Sequence, residues 1–307
     1  MNRSHRSVSV SVVMPVGEVD GFLPRQLDAL ANQDSTEDWE LVVSLNTSDP
    51  VARERLVGLL DARSQLRSRI VDSSELRSAS HARNVGAREA AGRRLLFCDG
   101  DDVADPGWIA AMVEALNRGG AVGGHLEENL LAIAGQEHWR PPATPEDLPR
   151  LLGSPYLVTA NMGLDRATFE AGGGFDVSLL RGEDIAFSWD LLDREVELHY
   201  APGAVMHYRH RQGLMAMMHQ HYLYGRGMSQ ILARRGVPGQ AGPAARLAAM
   251  RPNAQPVSHK GVPYYLRRGS IAVGRLVGLV GAYRPTRRGG RHREQPAAPT
   301  PAQPGSQ

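Results

Sequence analysis

Three carboxylates directly follow an apolar run in the first third of the chain. The run extends from Arg94 to Cys98, and Asp99, Asp101 and Asp102 come immediately after it. An apolar run bounded by a charged cluster is typical of a buried strand that leads into a loop. Carboxylates packed together repel one another unless positive charge lies between them. A divalent cation, held by oxygen ligands and shared with a phosphate group, would supply that charge.

An acidic turn that caps the next helix is the alternative explanation for these acids. Asp105-Pro106 fits a helix start better, with Asp105 as the N-cap and proline at the first helical position. We therefore assign the cap to Asp105 and leave the preceding cluster for a cation. Within that cluster, Asp102 is also compatible with a solvated acid.

The first hundred residues alternate predicted strands with predicted helices. Strands are predicted over 8–13, 39–45, 69–71 and 94–98, and helices over 23–30, 51–66 and 81–91. This alternation predicts a parallel sheet covered by helices on both faces. Ligands bind outside the carboxyl ends of the strands in such sheets, and polar clusters follow Val13, Leu45 and Cys98.

The second half of the chain has a different pattern. Strands are predicted over 121–126, 157–159, 196–200 and 204–208, and helices over 185–194 and 264–283. A stretch rich in His, Arg and Met follows the last strand. Its histidines raise the alternative of a zinc site, but no cysteine pair and no ordered ligand spacing supports one.

Composition limits the class of protein. The 307 residues are 42% hydrophobic and 22% charged, which is ordinary for a globular protein, and the net charge of +2 argues against a general nucleic-acid binder. Cys98 is the single cysteine, so no internal disulfide forms, and a reducing, cytoplasmic compartment is expected. The late apolar segment 271–283 carries Arg275 and is too short to span a bilayer.

Several short motifs occur in an order that resembles a known family. They are a Val-rich strand ending at Pro15, Ala82-Arg-Asn-Val-Gly86, Asp99-Gly-Asp-Asp102, Asn161-Met-Gly163, Gly173-Gly-Phe175, Glu183-Asp184 and a late His207. Together they resemble the family 2 glycosyltransferases, which are inverting enzymes of the GT-A fold that use nucleotide-diphosphate sugars. The resemblance covers about residues 8–228. It implies an α/β fold: a GT-A type αβα sandwich with a mostly parallel central sheet and a Rossmann-like nucleotide-binding half.

The resemblance also implies a metal site. Asp99-Gly-Asp101 matches the Asp-any-Asp motif with which the family holds Mg²⁺ or Mn²⁺ against the donor diphosphate. Asp101 is the expected direct ligand, and Asp99 the residue that contacts the nucleotide or supports the metal. Related enzymes often place a histidine near the metal at the position of His207, although a histidine in a polar loop is usually unligated.

The family's catalytic base corresponds to the acidic pair Glu183-Asp184. An acid at this position deprotonates the acceptor hydroxyl, and burial or neighbouring groups must tune its proton affinity. Asp184 and Glu183 are both candidates. The structural alternative is compensation of the helix dipole, which needs one acid rather than two.

Further matches concern the donor. The resemblance implies that Pro15, Arg83 and Asn84 lie close to the nucleotide, and that Asn161 lines the sugar or acceptor pocket. A turn-forming asparagine is an equally good interpretation of Asn161. After the second strand the family usually carries an aspartate that contacts the base, whereas this chain has Ser44-Leu-Asn-Thr47. Ser44 or Asn46 would have to replace that aspartate, without its charge.

The resemblance implies an inverting, metal-assisted glycosyltransferase that moves a sugar from a nucleotide-diphosphate donor to a hydroxyl acceptor, which would be a polysaccharide, a glycolipid or a secondary metabolite. We divide the chain into an N-terminal tail (1–7), a nucleotide-sugar-binding half (8–120), an acceptor-binding half (121–235), a helical extension (236–285) and a disordered basic and Pro-rich tail (286–307). The basic residues of that tail would allow a peripheral contact with an anionic membrane.

Two rival functions are compatible with the fold. The altered 44–46 turn admits a catalytically degenerate sugar-nucleotide-binding protein of the same fold. A nucleotidyltransferase is disfavoured because the expected Gly-rich basic signature is absent after the first strand.

Overall fold

The computed structural model describes residues 8–133, 139, 147–236 and 261–282. The tails predicted over 1–7 and 286–307 lie outside these residues. The described strands are β1 (Val10–Val16), β2 (Trp39–Leu45), β3 (Ser68–Asp72), β4 (Arg94–Cys98), β5 (Val103–Ala104), β6 (Ala121–Glu127), β7 (Arg150–Leu151), β8 (Ser154–Pro155), β9 (Asn161–Asp165) and β10 (Leu198–His207). The described helices are α1 (Leu23–Ala31), α2 (Pro50–Asp61), α3 (Ala79–Glu89), α4 (Trp108–Leu116), α5 (Arg166–Ala171), α6 (Glu183–Asp193), α7 (Leu214–Arg234) and α8 (Val262–Ala282).

Eight of the strands form one sheet in the order β3-β2-β1-β4-β9-β6-β10-β5. β3, β2, β1 and β4 are parallel, and β10 is parallel to β6. β9 is antiparallel to both of its neighbours, β4 and β6, and β5 is antiparallel to β10. The sheet therefore continues across residue 120, where the sequence suggested a division into halves.

Helices cover both faces of this sheet, as the alternation of elements predicts. On one face, α1, α2 and α4 pack on side chains such as Val12, Met14 and Leu96. On the other face, the alternate residues Val13 and Phe97 pack with Ala87 of α3 and with a cluster of phenylalanines from α5, α6 and the segment between them. The period-two alternation of the strands thus separates two cores, which is the αβα sandwich expected from the resemblance.

Four local predictions were wrong. Helix α4 begins at Trp108, not at Pro106, and its Ile109 N–H donates to Oε1 of Gln33 at 3.0 Å, so a side chain from the segment just after α1 satisfies this helix start. No strand covers 157–159. Instead β9 begins at Asn161, the residue that the sequence suggested for a turn. The two strands predicted over 196–208 are one strand, β10, with an irregular register between Ala201 and Val205.

Candidate functional site

The three aspartates after β4 lie close together at the carboxyl end of the sheet. One carboxylate oxygen from each of Asp99, Asp101 and Asp102 lies within 4.8 Å of the others. Asp102 is only 1% exposed, which excludes the solvated acid considered from the sequence. Its Oδ1 accepts a hydrogen bond from the Arg209 backbone N–H at 2.8 Å, whereas its buried Oδ2 has no partner among the described residues.

This arrangement fits a hard divalent cation. Burial, followed by the charge of Asp99, raises the pKa of both Asp101 and Asp102, so the cluster is electrostatically unfavourable as it stands. Arg209 compensates part of this charge, because its Nη2 donates to Oδ2 of Asp101 at 2.8 Å. An unpartnered buried carboxylate oxygen within an acidic cluster is suited to an oxygen-ligated ion such as Mg²⁺ or Mn²⁺.

Arg83 joins this cluster to the second acidic pair. Its Nη2 donates to Asp99 at 2.5 Å and its Nη1 to Oε1 of Glu183 at 3.0 Å, with 5% of the side chain exposed. Burial alone would lower the pKa of Arg83, but the two carboxylates outweigh it and raise that pKa above its usual value. One buried cation therefore holds two acids that are far apart in sequence.

The Glu183-Asp184 pair opens helix α6, where Glu183 is buried and Asp184 is half-buried. Gly182, just before it, has φ +85°, and a Cβ there would lie 2.7 Å from Cδ1 of Ile231, so this turn requires glycine. Glu183 forms an ion pair with Arg83, whereas Asp184 forms no side-chain ion pair with any described residue. Burial, followed by the charge of Glu183, raises the pKa of Asp184 from 3.8 to about 7.

Two cavities meet at this pair. A cavity of about 940 Å³ is lined by Pro15, Asn46 and Asp101, among others. A second cavity, of about 340 Å³, contains Asp184 with Tyr156, Tyr224 and His210 in its wall. Arg181 and Glu183 line both cavities, so they form the boundary between them. We call these the larger and the smaller cavity.

Of the two residues considered for the missing base-contacting aspartate, Asn46 lines the larger cavity and Ser44 does not. Ser44 is fully buried, and its hydroxyl donates to Oγ of Ser73 at 3.0 Å. The Asn46 amide donates to the backbone carbonyls of Ser73 and Leu76. Asn46 thereby fixes the chain that follows β3 against the cavity wall.

Besides Ser44, the structure places three further predicted site residues away from both cavities. The Asn84 amide exchanges two hydrogen bonds with the backbone of Phe175, at 2.8 and 2.9 Å. Nδ1 of His207 lies 3.0 Å from Glu127, and its Nε2 lies 3.9 Å from Asp105, so His207 is not brought into the aspartate cluster. With burial opposing it, the hydrogen bond from His207 helps hold the pKa of Glu127 at about 2.

The third is Asn161, whose side chain is enclosed by three elements. Its Oδ1 accepts from Nε1 of Trp108 at 2.8 Å, and its Nδ2 donates to the carbonyls of His125 and Ala204 at 2.9 and 2.8 Å. With 1% exposed, Asn161 joins α4, β6 and β10 beneath the site instead of lining a pocket.

We expect Asn161→Ala to lower the free energy of unfolding by about 1–3 kcal/mol, because it leaves buried groups of Trp108, His125 and Ala204 unsatisfied. Denaturant unfolding measures this. The matched control is Asn117→Ala, since Asn117 is exposed and accepts only from Arg94, at 2.6 Å. The control should change stability by about 0.5 kcal/mol or less. Equal effects for the two variants would contradict the role assigned to Asn161.

The sequence analysis missed several residues of the site. Arg209, which pairs with Asp101, was part of the His- and Arg-rich stretch but had no assigned role. Arg181 stands two residues before Glu183 and separates the two cavities. Tyr156 carries no motif. Only the packing of the segment before β9 near Asp184 brings it into the smaller cavity.

Comparisons with known proteins agree with this geometry. The family model described as glycosyl transferase family 2 matches residues 11–171, more than half of the chain. No curated protein sequence matches. Among solved structures, a mannosyltransferase from Pyrobaculum calidifontis, in complex with GDP-Man and Mn²⁺, is similar with a TM-score of 0.60 and 19% identity. That match covers 91% of this chain and 76% of the other.

Residues 1–349 of S. aureus TarS are similar with a TM-score of 0.53 and 17% identity, over 79% of this chain and 68% of that one. The same protein in complex with UDP-GlcNAc gives a TM-score of 0.54 at 15% identity. Likeness at such low identity concerns the fold, and it confirms the GT-A arrangement. The family match, supported by the acidic cluster and the paired cavities, establishes that this chain belongs to glycosyl transferase family 2 and is a glycosyltransferase.

Proposed function

We propose that the protein transfers a sugar, with inversion, from a nucleotide-diphosphate donor in the larger cavity to a hydroxyl acceptor in the smaller one. The observation that carries the proposal is the shared wall of the two cavities. Asp101 lines the larger cavity and Asp184 lines the smaller one, while Arg181 and Glu183 border both. Donor and acceptor bound on the two sides would meet at this wall.

The donor site combines a cluster of acids with nearby arginines. Asp99, Asp101 and Asp102 would hold Mg²⁺ or Mn²⁺, which when bound neutralises the charge that develops on the departing nucleoside diphosphate. Arg209 and Arg211, which follow β10, line the same cavity and suit bidentate contact with phosphate oxygens. Asn46 carries an amide where the family usually has an acid, so contact with the base at this position would not use a carboxylate charge.

On the acceptor side, Asp184 is the proposed general base. Its pKa of about 7 lets it accept a proton near neutral pH, and in the smaller cavity it stands among groups that could orient a hydroxyl, such as Tyr156 and Tyr224. Glu183 is the weaker candidate because Arg83 already engages its carboxylate. A single base on the acceptor side is what in-line attack with inversion requires.

Donor binding tests the metal part of the proposal. We expect GDP-mannose or a UDP-sugar to raise the melting temperature of the protein with Mn²⁺ but not with EDTA. Asp101→Asn and Asp102→Asn should weaken this cation-dependent binding by about 10- to 100-fold, since each removes a charged ligand. Calorimetric titration measures the affinities.

The matched control is Asp105→Asn, because Asp105 lies four residues from Asp101 but outside the cluster. It should bind the donor like the wild type. Equal donor affinity with Mn²⁺ and with EDTA in the wild type would refute the metal assignment. Donor binding by every variant without any sugar transfer by the wild type would favour the degenerate binding protein.

A further inference from the structure

A buried glutamine of helix α1 contacts the segment that carries the aspartate cluster. Gln26 is fully buried, where a polar side chain without partners would be costly. Its Nε2 donates to the carbonyl of Asp99 at 3.1 Å and lies 3.7 Å from Sδ of Met206. Its Oε1 accepts from the Ala104 N–H at 2.9 Å. Both the donor and the acceptor of this amide are therefore used by the chain on either side of the acids.

The acids lie between these two contact points. Residues 99–102 follow β4 and precede β5, so they form a turn outside the hydrogen-bond ladder of the sheet. The amide of Gln26 connects the first residue of this turn to the second residue of β5. The turn also approaches α1 at Gly100, where a Cβ would lie 3.3 Å from Cδ1 of Leu23. Helix α1 therefore contacts the acidic turn at both of its ends and within it.

A second glutamine, seven residues further along the chain, makes the same kind of contact with the next segment. Nε2 of Gln33 donates to the carbonyl of Asp105 at 2.7 Å, and its Oε1 accepts from the Ile109 N–H at 3.0 Å. Gln33 lies just after α1 and is half-buried. The two glutamines thus hold consecutive segments of the chain, and the acids belong to the segment that Gln26 holds.

We infer that Gln26 is a positioning residue for the divalent cation, because its amide holds the turn in the shape that brings the three aspartates together. The inference rests on the proposed role of these aspartates as cation ligands. Like charges repel one another, so a turn without this restraint would let the carboxylates separate, and binding an ion would require them to be ordered again. An amide that already holds both ends of the turn lowers this ordering cost before the ion binds.

A purely structural role is the alternative, in which Gln26 only satisfies two buried backbone groups. Both roles predict that Gln26→Met lowers the melting temperature, because methionine keeps the length of the side chain but makes neither hydrogen bond. The positioning role alone predicts a weaker ion site. We expect Gln26→Met to weaken the binding of Mn²⁺ about tenfold, which is typical when a group that orients metal ligands is removed.

Titration of the full chain with Mn²⁺ tests the inference, with the free ion measured by electron paramagnetic resonance. Gln33→Met is the matched control, because it removes the same kinds of hydrogen bond outside the acidic turn. The control should lower the melting temperature and bind Mn²⁺ like the wild type. If Gln26→Met does not fold, Gln26→Asn and Gln33→Asn replace the pair, since the shorter amide cannot reach both of its partners.

The possible results separate this inference from the proposed function. Weaker Mn²⁺ binding in the Gln26 variant but not in the Gln33 variant supports the positioning role. Wild-type affinity in the Gln26 variant, or an equal loss in both variants, would leave Gln26 a structural residue while the cation site itself stands. Absence of Mn²⁺ binding by the wild type would overturn the assignment of the aspartates as ligands, and this inference with it.

Discussion

Asp184→Asn is expected to bind the nucleotide-sugar donor like the wild type and to transfer sugar about 10²- to 10⁴-fold more slowly. Asparagine keeps the size and polarity of the side chain but cannot accept the proton of the acceptor hydroxyl. Glu183 cannot easily replace it, because its carboxylate is held 3.0 Å from Nη1 of Arg83. Initial rates of nucleoside-diphosphate release at saturating donor and acceptor measure the effect.

The pH profile should identify the same group. Because the base acts in its deprotonated form and the pKa of Asp184 lies at about 7, kcat/KM of the wild type should rise with pH and level off above that value. The residual activity of Asp184→Asn should lack this limb. A pH limb that persists in the variant would place the base elsewhere.

Stability distinguishes lost chemistry from lost folding. Folding raises the pKa of Asp184 from 3.8 to about 7, so between these values the native state binds more protons than the unfolded state. The contribution of Asp184 to stability therefore falls as pH rises through this window. Asp184→Asn has no such cost and should be at least as stable as the wild type at pH 8, as measured by denaturant unfolding. A destabilised variant would make its low activity uninformative.

The parallel part of the fold was predictable from local patterns. Strands β1 to β4 and helices α1 to α3 have strong period-two or helical spacing, and each was predicted within a few residues. The start predicted for α4 was wrong because it depends on Gln33, which lies 76 residues from the Ile109 N–H that it accepts. A hydrogen bond between residues so far apart in the chain leaves no trace in the local sequence pattern.

The centre of the sheet was not predictable in the same way. β9 lies between β4 and β6 and pairs antiparallel with both, so its place depends on partners 40 to 70 residues away. Its sequence, Asn161-Met-Gly-Leu-Asp165, shows little alternation, and an asparagine followed closely by glycine is typical of a turn. The same long-range packing encloses the Asn161 side chain and removes it from the pockets.

The order of the motifs predicted which acids belong to the site, but it did not predict the role of each acid. The sequence indicated both acidic groups, and the structure brings them to one place. It also shows Asp102 to be buried with one oxygen that has no partner in the described part of the chain, and Asn84 and His207 to make contacts outside the cavities. Whether an acid can act as the base depends on which residues it contacts in the folded chain. Arg83 pairs with Glu183 and leaves the carboxylate of Asp184 as the candidate base.

Arg83→Met is expected to lower the free energy of unfolding by about 3–5 kcal/mol at neutral pH, because it leaves the buried carboxylate of Glu183 and the half-buried carboxylate of Asp99 without their cation. Methionine keeps much of the side-chain volume, so loss of charge and not a cavity dominates. Urea unfolding at neutral pH measures the effect.

Arg93→Met is the matched control. Arg93 lies 3.5 Å from Asp165 with 70% of its side chain exposed, so removing its charge should cost about 1 kcal/mol or less. Arg83→Met/Glu183→Gln should recover part of the lost stability, since one of the two uncompensated charges is then gone. If Arg83→Met were as mild as the control, or if Glu183→Gln gave no rescue, Arg83 would not be the cation that holds the donor and acceptor sides of the site together.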